Sequence, residues 1–384
     1  MYLKFPSVPM IMTPGPTYVS EEVRDALSQK ITNPDLDLNF YEYYKKTCEK
    51  VQQLLNTENE VLILSGEGIL GLEAACASLV EPGDKVLCIE NGIFGKGFGD
   101  FLKMYGGEVE YFTSGYRKAI DVKALEDFLE KNHDFKLATF VHCETPSGIT
   151  NPIKQINSSL KKYGILSIVD AVSSIGGEEI ETDKWDIDIL LGGSQKCLSA
   201  PPGITFLSIS QKAWKIILDR KTPITGFYVN LANWKSWYED KWFPYTPPIS
   251  DIFGFSVAVE RLLKDNDRLE RHKKIANAVR KSLISGGLEL YPKDGFSNTV
   301  TTVVLPKGTS FKVIYNKMLS EHNIMIGGAF DFLKNQVFRI GHMGENCYED
   351  KLYLTLKGLD NVLRDLGFEL KVKLHKYFIE NLDS

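Results

Sequence analysis

No apolar run in this 384-residue chain approaches the ~20 residues needed to cross a bilayer. The best, Val61 to Leu64 and Ile187 to Leu191, are of strand length, so membrane insertion is not expected. Charge of one sign is equally scarce: 45 Lys and Arg stand against 50 Asp and Glu, for a net −5, and the basic residues are dispersed. Phosphate neutralisation along a nucleic acid needs a basic stripe, so no nucleic-acid partner is expected. Cysteine is sparse. Cys48, Cys76, Cys88, Cys143, Cys197 and Cys347 include no C-x-x-C, and only Cys143 has a neighbouring His. Neither a disulfide framework nor a metal site is indicated, and buried free thiols are expected. The N-terminus is broken by Pro6, Pro9, Pro14 and Pro16 and carries only Lys4 as a charge. It resembles neither a secretory signal nor an Arg-rich transit peptide, which makes the cytoplasm the expected location. Repeats and low-complexity tracts are also missing.

What is present is an ordinary globular composition, 43% hydrophobic and 25% charged, with 21 Phe and 17 Tyr. Strand-like runs occur at Val61 to Leu64, Val86 to Ile89, Val109 to Phe112, Leu137 to Val141, Ile165 to Val169, Ile187 to Leu191 and Ile204 to Ser208. Most are separated by helix-length segments, among them Leu70 to Leu79, Gly95 to Met104, Val122 to Lys131 and Ile153 to Lys162. Parallel strands need long crossovers that carry helices, so this alternation predicts an α/β fold with a mostly parallel sheet flanked by helices. Ser20 is a predicted cap for a helix from Glu21 to Leu27, and a second helix is predicted over Phe40 to Leu55. The pattern lapses into an aromatic, Pro-rich stretch from Lys221 to Pro248. Helical periodicity returns at Asp251 to Leu263 and Leu269 to Leu283. Strands at Val300 to Val304 and Val337 to Ile340 then alternate with helices at Lys312 to Leu319 and Leu352 to Leu366. The expected organisation is an N-terminal arm (1–19), a large domain (20–263) and a smaller C-terminal α+β domain (264–384).

Ser65-Gly66-Glu67-Gly68-Ile69-Leu70-Gly71 follows a strand, opens a helix and satisfies G-x-G-x-x-G. This motif alone suggests either a dinucleotide cofactor, with Glu90 as ribose partner, or a plain tight turn. Common to the functional readings is a helix N-terminus whose free N–H groups bind phosphate. Glu67 conflicts with that role: its carboxylate would repel a phosphate unless the side chain points away or another anion site is meant.

The strand ending at Val169 runs into Asp170, and the run Ile187 to Leu191 leads through Gly192-Gly193-Ser194-Gln195 to Lys196. Ligands of parallel sheets sit outside the carboxyl ends of the strands, so both residues face the crevice of the glycine loop. Read singly, Asp170 is equally a helix cap and Lys196 a surface lysine. Together with a phosphate cradle they form the set that pyridoxal 5′-phosphate requires: an anchor for the phosphate, an acid for the pyridine nitrogen, and a desolvated lysine for the aldehyde.

With these and further motifs the chain resembles a known family. Thr13-Pro14-Gly15-Pro16, Leu72-Glu73-Ala74-Ala75, Asn91-Gly92-Ile93-Phe94-Gly95, Val169-Asp170-Ala171-Val172-Ser173-Ser174, Gly193-Ser194-Gln195-Lys196, Ala200-Pro201-Pro202-Gly203 and Phe338-Arg339-Ile340-Gly341 occur in this order. In that succession the chain is similar to class V aminotransferases of the pyridoxal-phosphate fold type I, near the alanine:glyoxylate and serine:pyruvate group. The resemblance implies that Lys196 forms the Schiff base and shuttles the proton, and that Asp170 pairs with the pyridinium nitrogen. It implies that Phe94 stacks on the ring, where many members carry Trp, with Val172 on the opposite face and Thr145 near the phenolic oxygen. Gly68 and Ile69, helped by Gln195, would hold the phosphate. Arg339 would grip the substrate carboxylate, with Gly15 and Thr145 beside it. Thr246 would reach the phosphate of a neighbouring subunit, which implies a homodimer. Some members place a phosphate-binding Tyr three residues before that Thr; this chain has Phe243.

The expected reaction is transamination of small amino acids, with serine or alanine as donor and pyruvate or glyoxylate as acceptor. The alternatives are a nicotinamide-dependent oxidoreductase using the glycine loop, or another class V enzyme such as a cysteine desulfurase-like lyase. Against the latter, Gln195 stands where desulfurases carry His directly before the lysine.

Overall fold

A computed structural model describes residues 8–382; Lys4 and Pro6 of the expected arm, and the last two residues of the chain, lie outside the described residues. In chain order the strands are β1 (Met10–Met12), β2 (Glu60–Ser65), β3 (Lys85–Glu90), β4 (Glu108–Thr113), β5 (Leu137–Val141), β6 (Cys143–Glu144), β7 (Ile149–Thr150), β8 (Leu166–Asp170), β9 (Ile189–Gly193), β10 (Ile204–Ile209), β11 (Val300–Val304), β12 (Ile324–Ile326) and β13 (Val337–Gly341). Seven of them form one sheet in the order β2-β10-β9-β8-β5-β3-β4. Within it β3, β4, β5, β8 and β9 are parallel, while β10 runs antiparallel to both neighbours. Every residue of β5, β8, β9 and β10 is buried, which is why these strands read as unbroken apolar runs. At the sheet edge β4 is only half covered.

The helices begin where side chains can satisfy their first N–H groups. Ser20 accepts from Val23 N–H and opens Glu21–Leu27 as expected. Asp37 accepts from Asn39 N–H, which starts the next helix at Leu38, two residues before the expected Phe40. The stretch Lys221 to Pro248 contains one 3₁₀ turn, Leu231–Trp234. It is pinned to the helix Leu38–Leu55 by aromatic packing, with Tyr41 stacked on Phe243 at 4.5 Å between centroids.

Two extended apolar cores result. One lies around the seven-stranded sheet and draws on residues from Phe40 to Leu262. The other is formed by residues from Ile275 to Leu382, and by Met12 from the arm. Met12 reaches it because β1 pairs in parallel with β12, in a two-stranded sheet that the sequence reading did not anticipate. Also unanticipated were the helices Gln211–Leu218 and Leu374–Glu380 and the hairpin of β6 with β7. All six cysteines are free and buried, and among the described residues no cluster of His, Cys, Asp and Glu could hold a metal ion. None of the described helices is long and apolar enough to cross a membrane.

Candidate active site

The site is assembled from the carboxyl ends of the parallel strands. Asp170 closes β8, and its Oδ1 accepts from Val172 N–H at 2.8 Å. Burial pushes this carboxyl up to about 6, against the lowering effect of that N–H and of the Lys196 charge. Lys196 stands three residues beyond β9, its Nζ donating to Pro14 O at 2.7 Å. Burial lowers its pKa, and the Arg339 charge lowers it further. The loop is tied down by the arm: Thr17 N–H donates to Gln195 O at 3.1 Å, and Thr17 Oγ1 to Lys196 O at 2.9 Å. Gly15 is required where it sits. Its φ is +90°, and a Cβ there would come within 2.5 Å of Lys196 Cδ.

The glycine loop borders the same crevice. Gly68 opens the helix Gly68–Leu79, and a Cβ on it would meet Val172 Cγ2 at 2.6 Å, so the helix start and Val172 adjoin. Ile69, the second residue of that helix, is 53% exposed. Glu67 does not point away from the crevice. Its Oε2 accepts from Gln195 Nε2 at 3.4 Å, and its charge reaches Asp170, whose carboxyl it helps to push up. Thr145 is buried in the turn between β6 and β7 and donates to Ser173 Oγ at 2.7 Å. Phe94 lies on the helix Ile93–Met104, with its ring 5.8 Å from that of Phe330.

Arg339 enters from β13 and is 9% exposed. Its Nε donates to Gly328 O at 2.6 Å, which leaves the two terminal amino groups of the fork for a ligand. Burial pushes the guanidinium down to about 10, so it remains a cation at neutral pH.

Thr246 is exposed, in the segment just before the helix Ile249–Lys264. Phe243 is buried in the aromatic cluster and has no hydroxyl to donate. One residue escaped the sequence reading. Glu144 is fully buried at the end of β6 and accepts from the N–H groups of Phe94 and Gly95, both at 2.9 Å. Burial pushes its carboxyl up to about 7, aided by the negative charges of Asp170 and Glu90. An acid at the end of the run Leu137 to Val141 was visible by the same rule that singled out Asp170.

Comparison with known proteins bears on this constellation. The model of a family described as aminotransferase class V matches residues 13–328. An uncharacterized aminotransferase of Methanocaldococcus jannaschii is 36% identical over 94% of each chain. The pyridoxamine–pyruvate transaminase of Mesorhizobium japonicum is 32% identical, over 94% of this chain and 93% of its own. The crystal structure of the ureidoglycine–glyoxylate aminotransferase of Bacillus subtilis superimposes with a TM-score of 0.95 at 28% identity, covering 100% of both chains. The glycine loop is therefore part of a transaminase and not of a nicotinamide enzyme. A lysine and an acid at adjoining strand ends, beneath a helix N-terminus and facing a buried arginine fork, accord with that match: the chain belongs to the class V aminotransferases, pyridoxal-phosphate enzymes of fold type I.

Proposed function

We propose that the chain transfers the amino group of a small amino acid, serine or alanine, to pyruvate or glyoxylate. The observation that carries this reading is the Arg339 fork. Its Nε is fixed by Gly328 O, which leaves its terminal amino groups for a ligand. A planar fork binds an α-carboxylate through two parallel bonds. Relatives named for pyruvate and glyoxylate transamination support a small keto acid as acceptor.

The ring end of the crevice fits pyridoxal phosphate. Asp170, oriented by Val172 N–H, offers a carboxylate to a ring nitrogen, and Val172 and Phe94 offer apolar faces. When bound, the cofactor supplies an electron sink for the charge left as the substrate Cα–H bond breaks. The protein does the rest. Lys196, its pKa lowered by burial, would have an amine fraction able to take up the proton released at the substrate Cα. Pro14 O holds that amine at rest within the crevice. Glu144 fixes the start of the helix that carries Phe94 by taking its first N–H groups. Arg339 sets the plane of the substrate carboxylate and with it the direction of the Cα–H bond.

Thr246, exposed on its own chain, is read as a contribution to the site of a second copy, in a homodimer. Six unpaired buried thiols suit the reducing cytoplasm. The test is a half-reaction screen by cofactor absorbance. Serine and alanine are expected to convert the bound cofactor to its amino form, and pyruvate and glyoxylate to restore it. Faster conversion by glutamate or aspartate would overturn the assignment.

A further inference from the structure

The end of the crevice nearest the helix Gly68–Leu79 is built unlike a phosphate site. Glu67 occupies the position before that helix but makes no capping bond. Its carboxylate turns to Gln195 Nε2 instead, and among the described residues no lysine, arginine or histidine pairs with it. Gln195 is 8% exposed, and its Oε1 is buried without any donor. That oxygen lies 2.9 Å from the point where a Cβ on Gly193 would stand, and Gly68 N lies 3.5 Å from the same point. An orphaned acceptor and a helix-terminal donor therefore border one small space, with a carboxylate alongside.

A phosphate dianion brings only acceptors and negative charge. It can take the N–H groups of Gly68 and Ile69, but it offers nothing to Gln195 Oε1 and is repelled by Glu67. A hydroxymethyl group brings one O–H donor and two lone pairs, and satisfies both kinds of partner. We propose that this pocket admits the unphosphorylated ring, pyridoxamine or pyridoxal, as an exchangeable substrate whose 5′-hydroxyl is received by Glu67, Gln195 and the helix N-terminus. The inference rests on Lys196 and Asp170 forming the ring site. In the reaction a Cα–N bond to a 2-keto acid is formed as the keto oxygen leaves as water, and the C4′–N bond of pyridoxamine is then broken by a water that supplies the aldehyde oxygen. C4′ is oxidised from amine to aldehyde while the keto carbon is reduced to an amine. Lys196 carries the proton from one carbon to the other, so no further oxidant or reductant is needed.

The test is equilibrium dialysis of the full chain against pyridoxamine and against its 5′-phosphate, with Glu67→Gln and Glu67→Ser beside the wild type. The wild type is expected to bind pyridoxamine at least as tightly as the phosphate ester. Removing one unit charge from beside the phosphate should improve the ester's relative affinity by about a hundredfold in both variants. A wild type that prefers the ester by about tenfold or more, or a ratio unmoved in both variants, overturns the inference. Borohydride reduction with pyridoxal or with its phosphate, followed by peptide mapping, separates the two levels of the argument. A pyridoxal tag on Lys196 supports the inference; a tag from the phosphate ester alone overturns it and leaves the transaminase site standing. No tag on Lys196 from either compound overturns both.

Discussion

Replacing Arg339 by lysine isolates the geometry of the fork from its charge. In the wild type Nε is committed to Gly328 O at 2.6 Å, so the guanidinium plane is set before any ligand arrives. Lysine keeps the cation, but its single nitrogen must choose between that carbonyl and the substrate, and it cannot make two parallel bonds. A hydrogen bond to a charged group contributes about 1.5 to 3 kcal/mol, so the loss of one corresponds to roughly ten- to 150-fold in efficiency. Because every amino-acid and keto-acid substrate presents the same carboxylate, serine, alanine, pyruvate and glyoxylate should all lose a similar factor in single-turnover experiments. Cofactor absorbance without substrate should stay unchanged, since Lys196 and Asp170 keep their hydrogen-bond partners. A loss confined to one substrate would refute the reasoning, because it would make Arg339 a reader of side chains rather than of the common carboxylate.

Lys196→Ala should retain cofactor in part but lose turnover by several orders of magnitude, as expected when a covalent and proton-transferring group is removed; near-normal transamination would sink the assignment. Asp170→Asn should slow the half-reaction more than it weakens cofactor capture. A paired charge moves a ring-nitrogen pKa by about 1 to 3 units, equivalent to roughly 1.4 to 4 kcal/mol, and unchanged half-reaction rates would place Asp170 outside the chemistry. Glu144→Gln addresses stability. The carboxyl is raised from 4.5 to about 7 in the fold, so its contribution is fully present below about 4.5 and is lost as pH rises through about 7. That interval corresponds to about 3 kcal/mol. The wild type should therefore lose more melting temperature between pH 5 and pH 8 than the variant does, and equal pH slopes would contradict the burial argument.

The sheet was legible because its strands are covered on both faces. Leu137 to Val141 and Ile204 to Ser208 have no polar side to confuse with a helix, and the crossovers betrayed parallel order. Asp170 and Lys196 were legible for a related reason, since the end of a buried parallel strand is where a polar residue must find a partner. Other features depended on partners distant in sequence. Met10–Met12 and Ile324–Ile326 are three residues each, too short to show periodicity, and each is a strand only because the other exists. The aromatic stretch Lys221 to Pro248 lacked a pattern because its order comes from rings of the helix Leu38–Leu55, not from its own repeat. Glu67 was recognised as a conflict, but only the position of Gln195 showed which way the carboxylate turns.

The path of the arm has a bearing on how the protein comes off the ribosome. Pro14 O, which holds the Lys196 amine, belongs to a segment wedged against the far end of the chain: a Cβ on Gly327 would strike Pro14, and one on Gly341 would strike the backbone of Thr13. Met10 to Met12 thus wait for a strand partner made more than three hundred residues later. At roughly 5 to 20 residues per second this wait lasts tens of seconds. The sheet around β8 and β9 can close during that time, because its strands all lie before residue 210. The residues that wedge the Pro14 segment in place, Gly327 and Gly341, are made more than a hundred residues after that sheet, so the sheet can form before the seat of the Pro14 carbonyl is complete.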